Sequence, residues 1–236
     1  MNSGKPGGRY VMLGWPERTP CRSRRETMGK TVTKQARAEL TRHLLLDAAA
    51  VLLHRDGYAA TSMVDIAREA GVTKGGLYFH FSSKDEVCDE VQSAAVAVLH
   101  EHVAQARGRR PHLRRLADLS RALMSWLAED AKVGASFRLA REMGSNDPRF
   151  VAFVRAWLGQ VRAHIAAAHG AGELSPHVRP DMAALLVLVT CVGLESAAAS
   201  GTIPAGTDLA NTLSELWRVI EAAQPVSSQA SEATGS

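Results

Sequence analysis

The sequence predicts an all-α protein: an N-terminal three-helix helix-turn-helix domain followed by a larger helical bundle. Three observations predict this. Apolar residues recur at three- and four-residue spacing along most of the 236 residues, the period of helices with one buried face. Ala and Leu are abundant while Phe, Trp and Tyr together make up only 5%, a mixture that favours helix over strand. Clusters of Gly, Pro, Asn and Asp then divide the chain into helix-sized lengths. A chain this long can bury a sizeable core without disulfides or metals.

The elements follow in order. Residues 1–34 are rich in Gly, Pro, Arg, Ser and Thr without apolar period and are expected to be a disordered basic tail, with Met28 an alternative start. From Gln35 a first helix presents Leu44, Leu45, Ala48, Ala49, Leu52 and Leu53 as one stripe and stops at Gly57. Thr61 or Ser62 caps a second helix of barely two turns, with Asp65 near its positive end. Gly71 permits a tight turn, Val72 plugs the core, and Thr73 caps a third short helix to about Phe79. Ser82 or Ser83 begins a fourth, reaching about Ala106. Further helices are expected at roughly 112–130, 133–143, 148–169, 180–200 and 207–223, and residues 224–236 as a flexible tail.

Charge and composition exclude several classes. Residues 1–37 hold nine Lys/Arg against Glu17 and Glu26, a net of +7, so the chain's +4 leaves −3 for everything after. The basicity therefore sits in the tail and says little about a folded DNA-binding surface. Cys21, Cys88 and Cys191 stand far apart, with no second sulfur at chelating or redox spacing, and no secretory apolar segment opens the chain. A reducing cytoplasm is expected, with no metal and no cofactor. The longest apolar run, Met182–Leu194, is shorter than the 18 or so residues of a membrane span. None of the nine histidines stands at His-x-x-x-His spacing, Glu195 has no evident partner, and the Gly-rich start follows no strand. No catalytic constellation is visible, so an enzyme is not expected. A constitutive architectural protein using the basic tail is the other competing class, but it has no need of a Trp-containing second domain.

Two short helices joined by a tight turn, over residues 62–80, have the geometry that enters a major groove. The exposed side of the second carries Thr73, Lys74, Gly75 and Tyr78, with Leu77 facing inward. Lys74 can reach a guanine edge or a phosphate, Thr73 and Tyr78 can bond phosphate oxygens, and Gly75 lets the backbone come close. Gly-Leu-Tyr-Phe-His-Phe is also what aromatic core with two solvated charges looks like. The run from Gly57 to Val87, with Thr-Lys-Gly-Gly-Leu-Tyr-Phe-His-Phe at 73–81, resembles the N-terminal domain of the TetR family almost position for position, over residues 35–95. The resemblance implies that Thr61 and Ser62 begin the helix touching the DNA backbone, that Lys74, Gly75 and Tyr78 read the groove, and that His80 and Lys84 clamp phosphate. It divides the chain into a DNA-binding domain at 35–90 and a ligand-binding and dimerisation domain at 91–223.

Within that family the wording at 73–81 is similar to the γ-butyrolactone (autoregulator) receptors. Trp157 falls where these receptors place a pocket tryptophan, and Ile203-Pro-Ala-Gly with the closing Leu-Trp217-Arg-Val-Ile matches their end. Ala95 stands where some relatives carry a polar glutamine, so the effector can differ: a γ-butyrolactone-like signal, or an antibiotic or other lipophilic molecule. Trp126, Phe153, Trp157 and Thr190 are the expected pocket residues, with Phe137 and Phe150 nearby in sequence; large rings among alanines leave gaps, although Thr190 can instead bond back to its own helix. The helix at 180–200 is apolar on nearly every side and needs surrounding partners. The resemblance implies a homodimer through helices 180–200 and 207–223, including Trp217, on palindromic double-stranded operator DNA, the protein acting as a repressor released by the effector.

Overall fold

The structure, a computed structural model, describes residues 23–106 and 110–222. The chain divides into two compact units, Met1–Leu40 and Thr41–Ser236. The described part of the first is the opening of α1 (Ser23–Ala60). The stretch before Ser23, which includes Cys21, and the tail after Ala222 lie outside the described residues. Residues 23–34, expected in the disordered tail, are helical. No proline interrupts them, and Arg, Glu, Lys and Met are good helix formers.

In the second unit the remainder of α1 buries Leu45, Leu46, Ala49, Leu52 and Leu53, while Leu44, expected in the same stripe, is exposed at the edge of that arc. Gly57, at φ +85°, breaks the helix where the sequence indicates, a left-handed conformation that glycine adopts without penalty. There follow α2 (Met63–Glu69), α3 (Lys74–His80), α4 (Lys84–Gln105), α5 (His112–Glu129), α6 (Ala131–Met143), a 3-10 turn (Pro148–Val151), α7 (Ala152–Gly170), α8 (Pro180–Ala199) and α9 (Leu209–Ala222). No strand occurs among the described residues. α6 begins at Ala131 rather than 133 because the Asp130 carboxylate accepts from the N–H groups of Lys132 and Val133. The helix expected from 148 opens as a 3-10 turn, capped by Asp147 accepting from Arg149 N with Pro148 at its first position.

Two apolar cores result. One gathers Leu45, Leu53, Ile66, Leu77, Phe81 and Val91 around α1 to α4; the other gathers Leu99, Leu123, Phe153, Trp157, Val161 and Trp217 from α4 to α9. The boundary expected at 90/91 is no break in the chain. It falls inside α4, which gives Val87, Cys88 and Val91 to the first core and Ala95 and Leu99 to the second. Burying each large apolar side chain contributes roughly 1.5–3 kcal/mol, so α4 is stabilised from both ends. Burial also pushes the Cys88 and Cys191 thiols up to about 12, leaving both inert.

α8 is the exception to this burial. It runs for 20 residues and is long and apolar enough by length and composition to cross a membrane. It exceeds the Met182–Leu194 run because Glu195, Ser196 and three alanines extend the helix to Ala199. Only Ala184, Val187 and Cys191 are buried, and Met182, Leu185, Leu186, Val189 and Val192 are exposed.

Candidate nucleic-acid interface and sensor core

The helix-turn-helix, the candidate reading head, is built by local caps. Ser62 and Asp65 form a reciprocal capping box at the start of α2, Gly71 turns at φ +65°, and the Thr73 hydroxyl accepts from Gly76 N at 3.1 Å to start α3. Leu77 is fully buried and anchors α3, which turns the opposite side outward. Thr73, Lys74, Gly75 and Tyr78 are all exposed, and the Lys74 ammonium lies 5.9 Å from the centre of the Tyr78 ring. A Cβ on Gly75 would meet open space, whereas one on Gly76 would stand 2.8 Å from Val72 Cγ1. Gly75 therefore leaves its backbone bare to an approaching surface, and Gly76 admits the Val72 side chain.

The capping hydroxyls differ in what they have left to offer. Thr73 Oγ1 accepts from Gly76 N, and its own hydrogen remains available to a phosphate oxygen. The Ser62 hydroxyl donates to the Asp65 carboxylate and accepts from Asp65 N, so both of its roles are taken. That bond to Ser62, ahead of all other influences, holds the Asp65 carboxyl below the ordinary range. His80 is half-buried, its ring edge-on to Phe79.

Two residues expected at the DNA backbone are turned inward. Thr61 is buried, and its hydroxyl donates to Gly57 O at 2.8 Å, closing the chain after the α1 kink. Lys84 Nζ donates to Tyr58 O at 2.6 Å and Thr61 O at 2.9 Å, 3.7 Å from the centre of the Tyr58 ring. Two of its three hydrogens thus bind the carbonyls that α1 leaves open as it ends. The Tyr58 hydroxyl donates to Asp85 Oδ1 at 2.6 Å; that bond and then burial push the phenol up to about 12.

Sequence reasoning missed Phe79, which is 80% exposed on α3. Helical geometry contains the signal: two positions from the buried Leu77 is about 200° around the axis.

In the candidate sensor half, α4 to α9, the four expected pocket residues stand in three different settings. Phe153 and Trp157 are fully buried, with Phe153 edge-on to Phe137 at 5.9 Å. The Trp157 indole N–H is buried without a partner, a donor left unmet at a cost of about 1–3 kcal/mol. Trp126 lies nearer the surface, edge-on to His102 at 5.1 Å; burial lowers the His102 pKa, favouring the neutral imidazole. Thr190 donates back to Leu186 O and borders a crevice between α8 and α9. Phe150 joins the core of the reading head, edge-on to Tyr58 at 5.6 Å. An apolar cleft of about 560 Å³ opens elsewhere, lined by Leu113, Ile165, Leu174, Met182, Leu186 and Trp217 with His177 and Arg179 beside them.

The links between head and sensor were also invisible to sequence. Glu142 Oε2 accepts from Tyr58 N at 2.8 Å, and Arg138 holds Glu142 while donating to the carbonyls of His54 and Arg55. Glu195, without a partner in the sequence reading, accepts from Arg141 Nη1 with both carboxylate oxygens, at 2.8 and 2.9 Å. Gln92, one turn before Ala95, is 2% exposed. Its amide donates to Phe150 O at 2.7 Å and accepts from Phe153 N at 3.1 Å.

A capped helix-turn-helix with an exposed Lys-Gly-Tyr face, joined to an all-α bundle, defines the class: a helix-turn-helix protein with an attached helical domain. Residues 45–91 match the family described as bacterial regulatory proteins, tetR family. Full-length TylP, a TetR regulator from Streptomyces fradiae, is 31% identical in its solved structure; the match covers 77% of this chain and 85% of that one, with a TM-score of 0.60. The chain belongs to the TetR family. CprB of S. coelicolor A3(2) matches with a TM-score of 0.69 at 26% identity, over 82% of this chain and 93% of that one. The A-factor receptor protein of Streptomyces griseus is 29% identical over 194 residues, 80% of this chain and 65% of the receptor. The chain thus spans somewhat under two thirds of that receptor, and 32% of the next curated relative, TtgR of Pseudomonas putida.

Proposed function

We propose that this protein is a ligand-responsive transcriptional regulator: a homodimer that represses from a palindromic operator and is released by a small hydrophobic effector. The observation that carries it is the α3 face, where Lys74, bare Gly75 and Tyr78 stand outward on a helix pinned by buried Leu77. Lys74 reaches a guanine edge or a phosphate, and Tyr78, Thr73 and His80 reach the flanking backbone. Ser62 takes part only by exchanging Asp65 for phosphate.

The unpartnered face of α8 supports a second copy. Met182, Leu185, Leu186 and Val189 form an exposed stripe at helical spacing, continued by Leu216 of α9. The 560 Å³ cleft opens along the same edge. A twofold partner laying α8 and α9 against these helices would cover an apolar area that water disfavours. This accounts for α8 without a bilayer and fits a cytoplasmic protein.

The effector acts at the sensor core, where the orphaned Trp157 N–H offers a donor to a carbonyl or lactone oxygen beside Phe153. A γ-butyrolactone-like signal suits that donor and those rings; an antibiotic or other lipophilic molecule is the alternative. A second position is favoured by the cleft beside Trp217, which already has the volume of a ligand site. Release follows from two arrangements of the paired heads, one spaced for successive major grooves. A hundredfold loss of occupancy needs a preference of about 2.7 kcal/mol for the released state.

The test is selection of binding sites from a random duplex pool, followed by gel shift with and without an organic extract of the producing culture. A discrete palindromic site whose shift the extract abolishes is expected. Absence of any selected sequence at all salt concentrations overturns the reading. Trp157→Ala is expected to keep the shift and lose release; if release persists, the effector sits in the Trp217 cleft.

A further inference from the structure

The two apolar cores meet at one polar group. On α4, Val91 belongs to the head core and Ala95 to the sensor core, and Gln92 stands at the seam between them. Its buried amide bridges the junction where the 3-10 turn becomes α7, with one arm to the carbonyl of Phe150 and the other to the N–H of Phe153. The rings of those two residues point to different cores: Phe150 packs against Tyr58 in the head, and Phe153 against Phe137 in the sensor. Phe150 and Phe153, three positions apart, therefore carry one ring into each core, and one buried side chain fastens both to α4.

We infer that Gln92 is the positioning residue that couples the sensor core to the reading head. The inference rests on the DNA-binding reading above. Both ends of the amide are satisfied at only one placement of residues 150–153 along α4, and a buried amide paired at both ends resists sliding because movement strands a carbonyl and an N–H without water. A change at Phe153 must then carry α4 with it, and α4 carries the head through Val87, Lys84 and Asp85. A short 3-10 segment set against an α-helix is a place where such a shift is readily absorbed or passed on.

Two parallel connections exist. The Arg138–Glu142 pair ties α6 to the end of α1 and not the 150–153 junction to α4; for Arg149, which does reach α4, magnitudes decide. Arg149 bridges Asp85 and Asp89 of α4 at 3.4 and 3.3 Å, and its side chain is 50% exposed. Exposed ion pairs of that length are weak and screened by salt. The buried amide is the stiffer link.

A double-substitution cycle tests this without knowledge of the effector. Phe153→Leu perturbs the sensor core, Gln92→Leu removes the bridge at similar volume, and the full-length variants are titrated against the duplex selected by wild type, using fluorescence anisotropy. Phe153→Leu alone is expected to change DNA affinity about tenfold, Gln92→Leu alone less than about threefold, and Phe153→Leu added to Gln92→Leu less than about threefold again. A residue that merely stabilises the fold would show an interaction term in the melting temperatures and none in the DNA affinity. An undiminished Phe153→Leu effect in both backgrounds overturns the inference, as does no effect in wild type. Should Gln92→Leu lose its helical circular dichroism, Gln92→Met takes its place in the cycle. If wild type selects no duplex at all, the DNA-binding reading has failed instead.

Discussion

At the scale of single residues, adjacent glycines on α3 do opposite work. Gly75 faces open space and Gly76 faces Val72 at 2.8 Å. Gly75→Ala is therefore expected to melt at or above the wild-type temperature, since alanine favours helix by about 1 kcal/mol, yet to bind DNA at least tenfold more weakly. Gly76→Ala is expected to lower the melting temperature, because a stiff valine has to move. Equal DNA affinity for wild type and Gly75→Ala would remove Gly75 from the interface. Lys74→Ala should weaken operator binding by about 1–3 kcal/mol if the ammonium reads a base, or reduce the salt dependence by about one counterion if it meets a phosphate; titrations at several salt concentrations separate the two. Lys84→Met tests the inward placement of Lys84: it should cost about 1–3 kcal/mol of stability, because two carbonyls lose their donor. A loss confined to DNA affinity would return Lys84 to the phosphate.

At the scale of elements, the end of α1 is held by α6. A Cβ on Gly57 would stand 2.5 Å from Glu142 Oε1, on a backbone at φ +85°. Gly57→Ala should destabilise the fold by about 1–3 kcal/mol, read by denaturant titration. Burial would raise the Glu142 pKa, but the Arg138 guanidinium and Tyr58 N–H outweigh it and leave the carboxyl below its ordinary value. A carboxyl lowered by folding contributes stability above its unfolded value, about 4.3, and loses it as pH falls through the lower folded value. Thermal melts from pH 7 to pH 3 should therefore fall on the acid side, less steeply for Glu142→Gln than for wild type. Matching slopes would show that this carboxylate does not bind the head to α6.

At the scale of the whole molecule, the question is what covers α8. Leu186 and Val189 are 59% and 58% exposed, on a helix apolar enough to avoid water by some means. Leu186→Arg combined with Val189→Glu should yield a monomer by light scattering, with the helical content kept and binding to a palindromic site reduced by two orders of magnitude or more, because two linked heads act as one ligand. A variant that stays dimeric would place the interface elsewhere.

The amino-acid sequence by itself determined the all-α class, the break of α1 at Gly57, the turn at Gly71, the cap at Thr73 and the outward set Thr73, Lys74, Gly75 and Tyr78, while leaving Ser82 and Ser83 as alternative caps of α4, of which the structure takes Ser83. These are legible because caps, turns and helical faces are settled within about four residues, by hydrogen bonds and periodicity that the order of residues states directly. Only the tertiary structure decided that Lys84 and Thr61 turn inward, that Phe150 belongs to the head and Phe153 to the sensor, and that Trp157 is buried while Trp126 lies nearer the surface and Thr190 borders the crevice between α8 and α9. It alone paired Tyr58 with Glu142 across 84 residues, Gln92 with Phe150 across 58 and Arg141 with Glu195 across 54. Periodicity tells which side of a helix is buried, but the partner it is buried against is chosen by packing of the whole chain, where one long polar side chain can meet any of several distant backbone groups.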